Sequence, residues 1–322
     1  MNQKIAIGVD IGGTSVKLGI VSAKGRVLAS SSFLTEKTKS RKKQLETLAA
    51  HILELIRRAR DKNFRVLGLG IGAPGPIDVE KGFVHFFPNI PGWKSTPLKK
   101  ILQKKLKLPV FIDNDANAMA LGEFLFGAGR GAKNIVALTL GTGIGGGLVM
   151  DGKLFHGPAY SAAEIGHLVI NENGPQCGCG SRGCIETYVG NGYFVKEVQR
   201  RLKAGQKSVL KSWLRKKAKL TPLLVAQAAR KGDRFSREIW RETGEHLGTA
   251  LTGLVNILNP EKIILGGGIA QNGKFLFHPV VKTLQKKAFP IAARSVKVVR
   301  AALGVDAGLI GAAALVFVNG TK

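Results

Sequence analysis

Short β-branched runs broken by tight turns open the chain. Residues 5–10, 17–21 and 27–30 are apolar runs, with Ala23-Lys24-Gly25-Arg26 as a turn between the last two. Strands joined this closely are hairpin-connected and antiparallel. Leu45, Leu48, Ala49, Ile52, Leu53 and Ile56 then recur at helical spacing. A strand is predicted over 66–72, running into Ala73-Pro74-Gly75-Pro76, and a helix over 98–106. The run 109–112 reads as a strand that delivers Asp113-Asn114-Asp115 at its carboxyl end, followed by a helix over 116–126.

A similar unit starts near Ile135. Residues 135–140 read as a strand, 141–147 as a glycine turn and 148–150 as the return strand. The two openings share one plan and predict two related halves. A basic helical segment over 191–241 comes next, then a helix ending near Leu258-Asn259-Pro260, where proline blocks continuation. A strand over 263–265 leads to Gly266-Gly267-Gly268; a strand over 296–300 and an apolar helix over 307–318 complete the chain. Parallel and antiparallel strands interleaved with helices predict an α/β chain of two lobes.

The chain has 322 residues, room for two domains at ~150 residues each. Hydrophobic residues at 44% and charged residues at 22% exclude a disordered chain. The 42 glycines are clustered, not periodic, which excludes collagen and points to backbone-lined sites. The longest uncharged stretch, 134–150, falls short of the ~20 apolar residues of a spanning helix. The opening apolar run is too short for a signal peptide, so a cytoplasmic protein is expected. Net charge is the outlier: 49 Lys and Arg against 21 Asp and Glu give +28, crowded into 37–43, 57–65, 94–107, 200–219 and 230–241. Such a field attracts polyanions, or is a basic surface without a dedicated partner.

Asp10-Ile11-Gly12-Gly13-Thr14 places a carboxylate and two glycines at a strand end, with Lys17 nearby. Backbone N–H groups there can approach phosphate oxygens, Thr14 can donate its hydroxyl, and Asp10 can hold a metal-bound water. A plain hairpin turn is the alternative. A second turn of the same chemistry, with Thr142, Gly143 and Gly145, favours a nucleotide held by two glycine turns. Gly266, Gly267 and Gly268 form either a surface for a flat base or ribose, or a helix-packing turn. Asp113-Asn114-Asp115-Ala116-Asn117 holds more polar groups than a helix cap needs. Phosphoryl transfer to an alcohol needs a base on the hydroxyl, with Asp115, nearest the helix N-terminus, as the favoured base and Asn114 as its aid.

Glu164, His167, Cys177, Cys179, Cys184 and Glu186 form the densest constellation. C-x-C-x4-C with a histidine ten residues upstream matches a Cys3His structural zinc site. Zinc there would fix Glu164 and Glu186, two carboxylates suited to vicinal sugar hydroxyls. The loop 86–93, with Asn89, either contacts a polyol or packs on its lobe. His51, His85, His156, His246 and His278 are given no chemical role.

These motifs, with Gly72-Ala73-Pro74-Gly75-Pro76-Ile77-Asp78, occur in an order that resembles the ROK family of bacterial sugar kinases along nearly the whole chain. The resemblance implies a two-lobed, actin-like (ribonuclease-H-like) ATPase fold with a cleft between lobes. It implies a small lobe of residues 1–118 plus 299–322 and a large lobe of 119–298 carrying a zinc loop at 167–184. It implies ATP and Mg2+ as donor and cofactor, transfer to the 6-hydroxyl of glucose, and Asp115 as general base. Gly75, Asn89, Asn114, Glu164, His167 and Glu186 would hold the sugar, and His167, Cys177, Cys179 and Cys184 a structural Zn2+. A homodimer or homotetramer is expected, with no membrane or nucleic-acid partner. Another hexose or N-acetylated amino sugar as acceptor, and polyphosphate as donor, are the alternatives. A sugar-sensing nucleic-acid-binding protein is the rival outside the enzymes; family repressors carry an N-terminal helix-turn-helix, whereas this sequence starts at its first strand.

Overall fold

The computed structural model describes residues 2–35, 40–88 and 90–320. In chain order, the strands are β1 (Lys4–Ile11), β2 (Ser15–Ser22), β3 (Val27–Leu34), β4 (Arg65–Ala73), β5 (Ile77–Asp78), β6 (Phe83–Phe86), β7 (Lys94–Thr96), β8 (Val110–Asn114), β9 (Ile135–Leu140), β10 (Ile144–Met150), β11 (Lys153–Leu154), β12 (Lys262–Gly266) and β13 (Lys297–Arg300). The helices are α1 (Arg41–Asp61), α2 (Leu98–Leu106), α3 (Asp115–Phe126), α4 (Glu186–Val189), α5 (Asn191–Lys203), α6 (Leu210–Arg215), α7 (Pro222–Arg230), α8 (Arg234–Leu258), α9 (Gly267–Ala270), α10 (Lys274–Lys287), α11 (Pro290–Ser295) and α12 (Ala307–Asn319). No helix among the described residues is long and apolar enough to cross a membrane.

Two five-stranded sheets share one strand order, β3-β2-β1-β4-β8 and β11-β10-β9-β12-β13. In the first, β1 pairs antiparallel with β2 and parallel with β4, and β4 is parallel to β8. In the second, β12 is parallel to both β9 and β13. This repeated order is the physical content of the two rhyming openings. The chain divides into two compact units: one runs to Lys133 and includes Gly147–Ala163 and the chain from Ala301; the other comprises Asn134–Gly146 and Glu164–Arg300. The helix that a boundary at 118 would cut, α3, lies whole within the first unit.

In the first unit, α1 starts where the Ser40 hydroxyl accepts the Lys43 N–H, a side-chain cap. Its buried face is Leu48, Ala49, Ile52, Leu55, Ile56 and Ala59; Leu53, expected on that face, is 44% exposed. Helix α12 is buried along most of its length, and small residues set how closely it lies on the sheet. A Cβ on Gly8 or Gly70 would overlap the carbonyls of Leu309 and Ala312, and one on Gly311 would overlap Ala118 of α3. The three-stranded sheet β5-β6-β7 has strands too short to show a period in sequence. Phe87 and Trp93 beside it are buried and stacked at 4.7 Å, so this part of the 86–93 loop packs into its own unit.

Glu123 is the one acidic side chain in α3 besides Asp115, and it is fully buried. Its carboxylate accepts the N–H groups of Ala128 (2.8 Å), Ala302 (3.0 Å) and Leu303 (2.8 Å), joining the end of α3 to the approach to α12. Glu123→Ala would leave those donors unpaired. Denaturant titration is expected to show a loss of about 3 kcal/mol or more, as for other buried charge-assisted networks.

Candidate active site

The strand β8 ends on Asp113-Asn114, and α3 begins at Asp115. Asn114 caps the helix: Oδ1 accepts the Ala116 N–H at 2.9 Å and the Asn117 N–H at 3.4 Å, and Nδ2 donates to the Gly75 carbonyl at 3.3 Å. The Asp115 carboxylate accepts the Ala116 N–H at 2.8 Å, at the helix end where negative charge is favoured. Gly75 has φ +89°, and a Cβ there would overlap the Phe86 carbonyl, so only glycine fits this contact. Asn89 lies outside the described residues.

Asp10 sits opposite Lys17 in the β1–β2 ladder and beside Gly72 of β4. The turn after it closes with the Gly12 N–H donating to the Ser15 carbonyl at 3.0 Å, and carries Gly13 and Thr14. Lys17 Nζ donates to the Val305 carbonyl at 3.0 Å. Burial, and then the negative charge of Asp115, push the Asp10 carboxyl up to about 6, against the pull of Lys17. Folding therefore favours the protonated acid: that stability is complete below the ordinary carboxylate value and is lost as pH rises through about 6. Asp10→Asn removes the penalty. Chemical denaturation of the ligand-free protein is expected to show a gain on the order of 1–3 kcal/mol near neutral pH, shrinking as pH falls toward 4. A carboxylate held in this way is a fitting neighbour for a divalent cation.

In the second unit, the hairpin between β9 and β10 carries Thr142, Gly143 and Gly145. The Gly141 N–H donates to the Gly143 carbonyl at 2.9 Å and the Gly145 N–H to Thr139 Oγ1 at 3.2 Å. Glu186 opens α4, and its carboxylate accepts the Ile144 N–H at 2.9 Å and lies against Gly143. Glu164 is exposed and follows Ala163, whose φ of +66° is left-handed backbone that a side chain rarely adopts. Gly266 ends β12, whereas Gly267 and Gly268 begin the short helix α9 instead of remaining a turn; the position a Cβ would take on Gly268 is open.

His167, Cys177, Cys179 and Cys184 converge, with one ligand atom from each lying within 4.8 Å of all the others. Cys177 Sγ is 3.7 Å from His167 Nδ1, and Cys179 Sγ is 3.7 Å from Cys184 Sγ. Ligands at ~2.3 Å around a tetrahedral zinc stand roughly 3.8 Å apart, so the donor set fits that metal. The loop is shaped by its own backbone: the Cys177 N–H donates to the Ser181 carbonyl at 2.8 Å, and Val169 and Cys184 form a bridge. Burial pushes the Cys184 thiol up to about 12, while hydrogen bonds from the Ser181 backbone and Cys177 hold Cys179 below the usual thiol value.

One pairing carried no sequence signal. His156 Nε2 lies 2.7 Å from Asp113 Oδ2, although the residues are 43 positions apart and belong to no common motif.

Residues 6–318 match the ROK family. The chain belongs to the ROK family. It is 40% identical to the glucokinase of Thermotoga maritima over 314 residues, covering 96% of each chain. Among solved ROK structures, it superposes on a glucokinase from Streptomyces griseus in complex with glucose and AMPPNP with a TM-score of 0.78 and 33% identity, covering 97% of this chain and 98% of that one. A ROK transcriptional regulator homologous to E. coli Mlc superposes with a TM-score of 0.89 and 27% identity, covering 98% of this chain and 78% of the regulator. The fold is thus the actin-like ATPase fold of ROK sugar kinases, and regulators share it.

Proposed function

We propose that this ROK protein is a glucokinase, transferring the terminal phosphoryl group of Mg-ATP to the 6-hydroxyl of D-glucose. The observation that carries the reading is the near-full-length similarity to a glucokinase at 40% identity. It is supported by the carboxylate of Asp115 on the first turn of α3. Asp115 takes the proton of the 6-hydroxyl as the oxygen attacks the γ-phosphorus, and Asn114 and Gly75 set the direction from which that hydroxyl is approached. Asn114 does so mainly through the cap, since its Oδ1 is committed to the helix. Glu164, His167 and Glu186 take the remaining hydroxyls, and Asn89 is assigned with them.

Gly12, Gly13, Thr14 and Lys17 on the β1–β2 turn offer backbone and side-chain donors suited to phosphates, and the β9–β10 turn with Thr142, Gly143 and Gly145 offers the same chemistry. Gly266, Gly267 and Gly268 give side-chain-free backbone for the base and ribose. When bound, Mg2+ neutralises charge on the transferring phosphoryl group; Asp10 would hold a water of its shell. The four-residue cluster would hold a structural Zn2+, with His167 offering Nδ1, the ring nitrogen that faces Cys177.

The test is a coupled assay of the purified protein across glucose, mannose, fructose, N-acetylglucosamine and N-acetylmannosamine, with ATP and polyphosphate as separate donors. Glucose with ATP is expected to give the highest kcat/KM. A higher value for another pair reassigns the substrate, and inactivity with every sugar overturns the kinase reading.

A further inference from the structure

Asp113 is 1% exposed, and the polar groups that meet it are few. Oδ1 accepts the Asn114 N–H at 2.7 Å and Asn117 Nδ2 at 3.0 Å, and Oδ2 meets His156 Nε2 at 2.7 Å. A carboxyl group this buried needs a hydrogen-bond partner for each oxygen. His156 serves Oδ2, and the hydrogen bond to Asp113 holds the imidazole pKa above its ordinary value despite burial.

The segment carrying His156 is itself fixed. The His156 carbonyl accepts the Ala162 N–H at 3.0 Å, and the Tyr160 hydroxyl donates to Glu80 at 2.8 Å. His156 and Asp113 also line a cavity of about 700 Å3, together with Glu80, Lys99 and Lys153.

The bonds run in series toward the base. His156 holds Oδ2 of Asp113, and Oδ1 of the same carboxylate holds the backbone N–H of Asn114 and the side chain of Asn117. Those two residues flank Asp115 and Ala116. Asp113 thus ties together the backbone of Asn114 and the side chain of Asn117, one on either side of Asp115. We infer that His156 is a positioning residue for Asp115, acting through Asp113: it holds the buried carboxylate in one orientation, and so fixes the turn that presents the base. This rests on the assignment of Asp115 as the base in a sugar kinase.

Steady-state kinetics of wild type, His156→Ala, His156→Asn and His156→Gln test it, with glucose binding measured by calorimetry. A small displacement of a reacting group lowers the rate without weakening binding, so His156→Ala is expected to lose about tenfold or more in kcat, with both KM values within about threefold of wild type. Glutamine places an amide N–H near the position of Nε2 and is expected to restore kcat to within about threefold, whereas the shorter asparagine is not. The Gln and Asn variants differ by one methylene, so their contrast decides the matter even if the alanine variant fails to fold. The inference is overturned if the Ala and Asn variants keep wild-type kcat, if the loss lies in KM, or if glutamine gives no rescue. Wild-type protein that phosphorylates no sugar contradicts the kinase reading instead, and is seen before any variant is compared.

Discussion

Asp115→Asn is expected to lower kcat for glucose phosphorylation by about 10³-fold, within the range that general-base catalysis supplies, while leaving the KM values and the unfolding midpoint near those of wild type. The amide keeps the shape of the side chain, and its oxygen can still accept the Ala116 N–H, a bond of 2.8 Å in the native protein. The capacity to take a proton is lost, together with the negative charge that helps raise the Asp10 pKa. Asn114 continues to cap α3, so the helix has no reason to fray. A coupled assay and a thermal melt on the same preparation read both halves of the expectation. Retention of kcat within tenfold would remove Asp115 from the mechanism.

Loss of the metal cluster has the second-largest expected effect. The purified protein is expected to carry one zinc per chain by elemental analysis, and Cys184→Ser to carry almost none. Cys184 is fully buried and its backbone bridges to Val169, so its sulfur is both a proposed ligand and fixed within the loop. Structural zinc contributes on the order of 10 kcal/mol in small domains that depend on it. In a chain with two large sheets only the loop around His167 and Cys177 depends on it, and a fall of several degrees in the melting temperature is the expected scale, roughly 2–4 °C per kcal/mol. The activity consequence is sharper. His167 belongs to the cluster, and Glu186 follows Cys184 by two residues, so the KM for glucose is expected to rise by about tenfold or more. A strong chelator acting on wild-type protein should reproduce both effects. A metal-free preparation with full stability and full activity would show that the three thiols and the imidazole are only packed together.

What the sequence disclosed is local. Asp10 at a strand end, the glycine turns, Asp115 at a helix start and the Cys/His spacing each lie within about twenty residues, and the structure keeps each as a unit. The repeated opening announced a repeated strand order. The features that escaped are long-range or lack a period. His156 meets Asp113 across 43 positions, and nothing around either residue names the other. Strands β5, β6 and β7, two to four residues long, are too short for alternation to be counted. Leu53 satisfied the helical spacing of α1, yet Leu55 is the buried residue, because only the packing of the sheet decides where an apolar stripe ends. Glu123 was readable in principle: an acid inside Ala-Met-Ala-Leu-Gly-Glu-Phe-Leu-Phe is out of place unless backbone donors meet it, and three do.

The central claim is that one carboxylate deprotonates a hexose while ATP gives up its terminal phosphoryl group. Phosphorus NMR of the purified protein with ATP, Mg2+ and D-glucose tests it most directly, because the product resonance reports which oxygen was phosphorylated. The account predicts glucose 6-phosphate appearing in step with ADP, and little ADP when glucose is omitted. Phosphate on another hydroxyl, or ADP and free phosphate forming at the same rate with and without sugar, would contradict it.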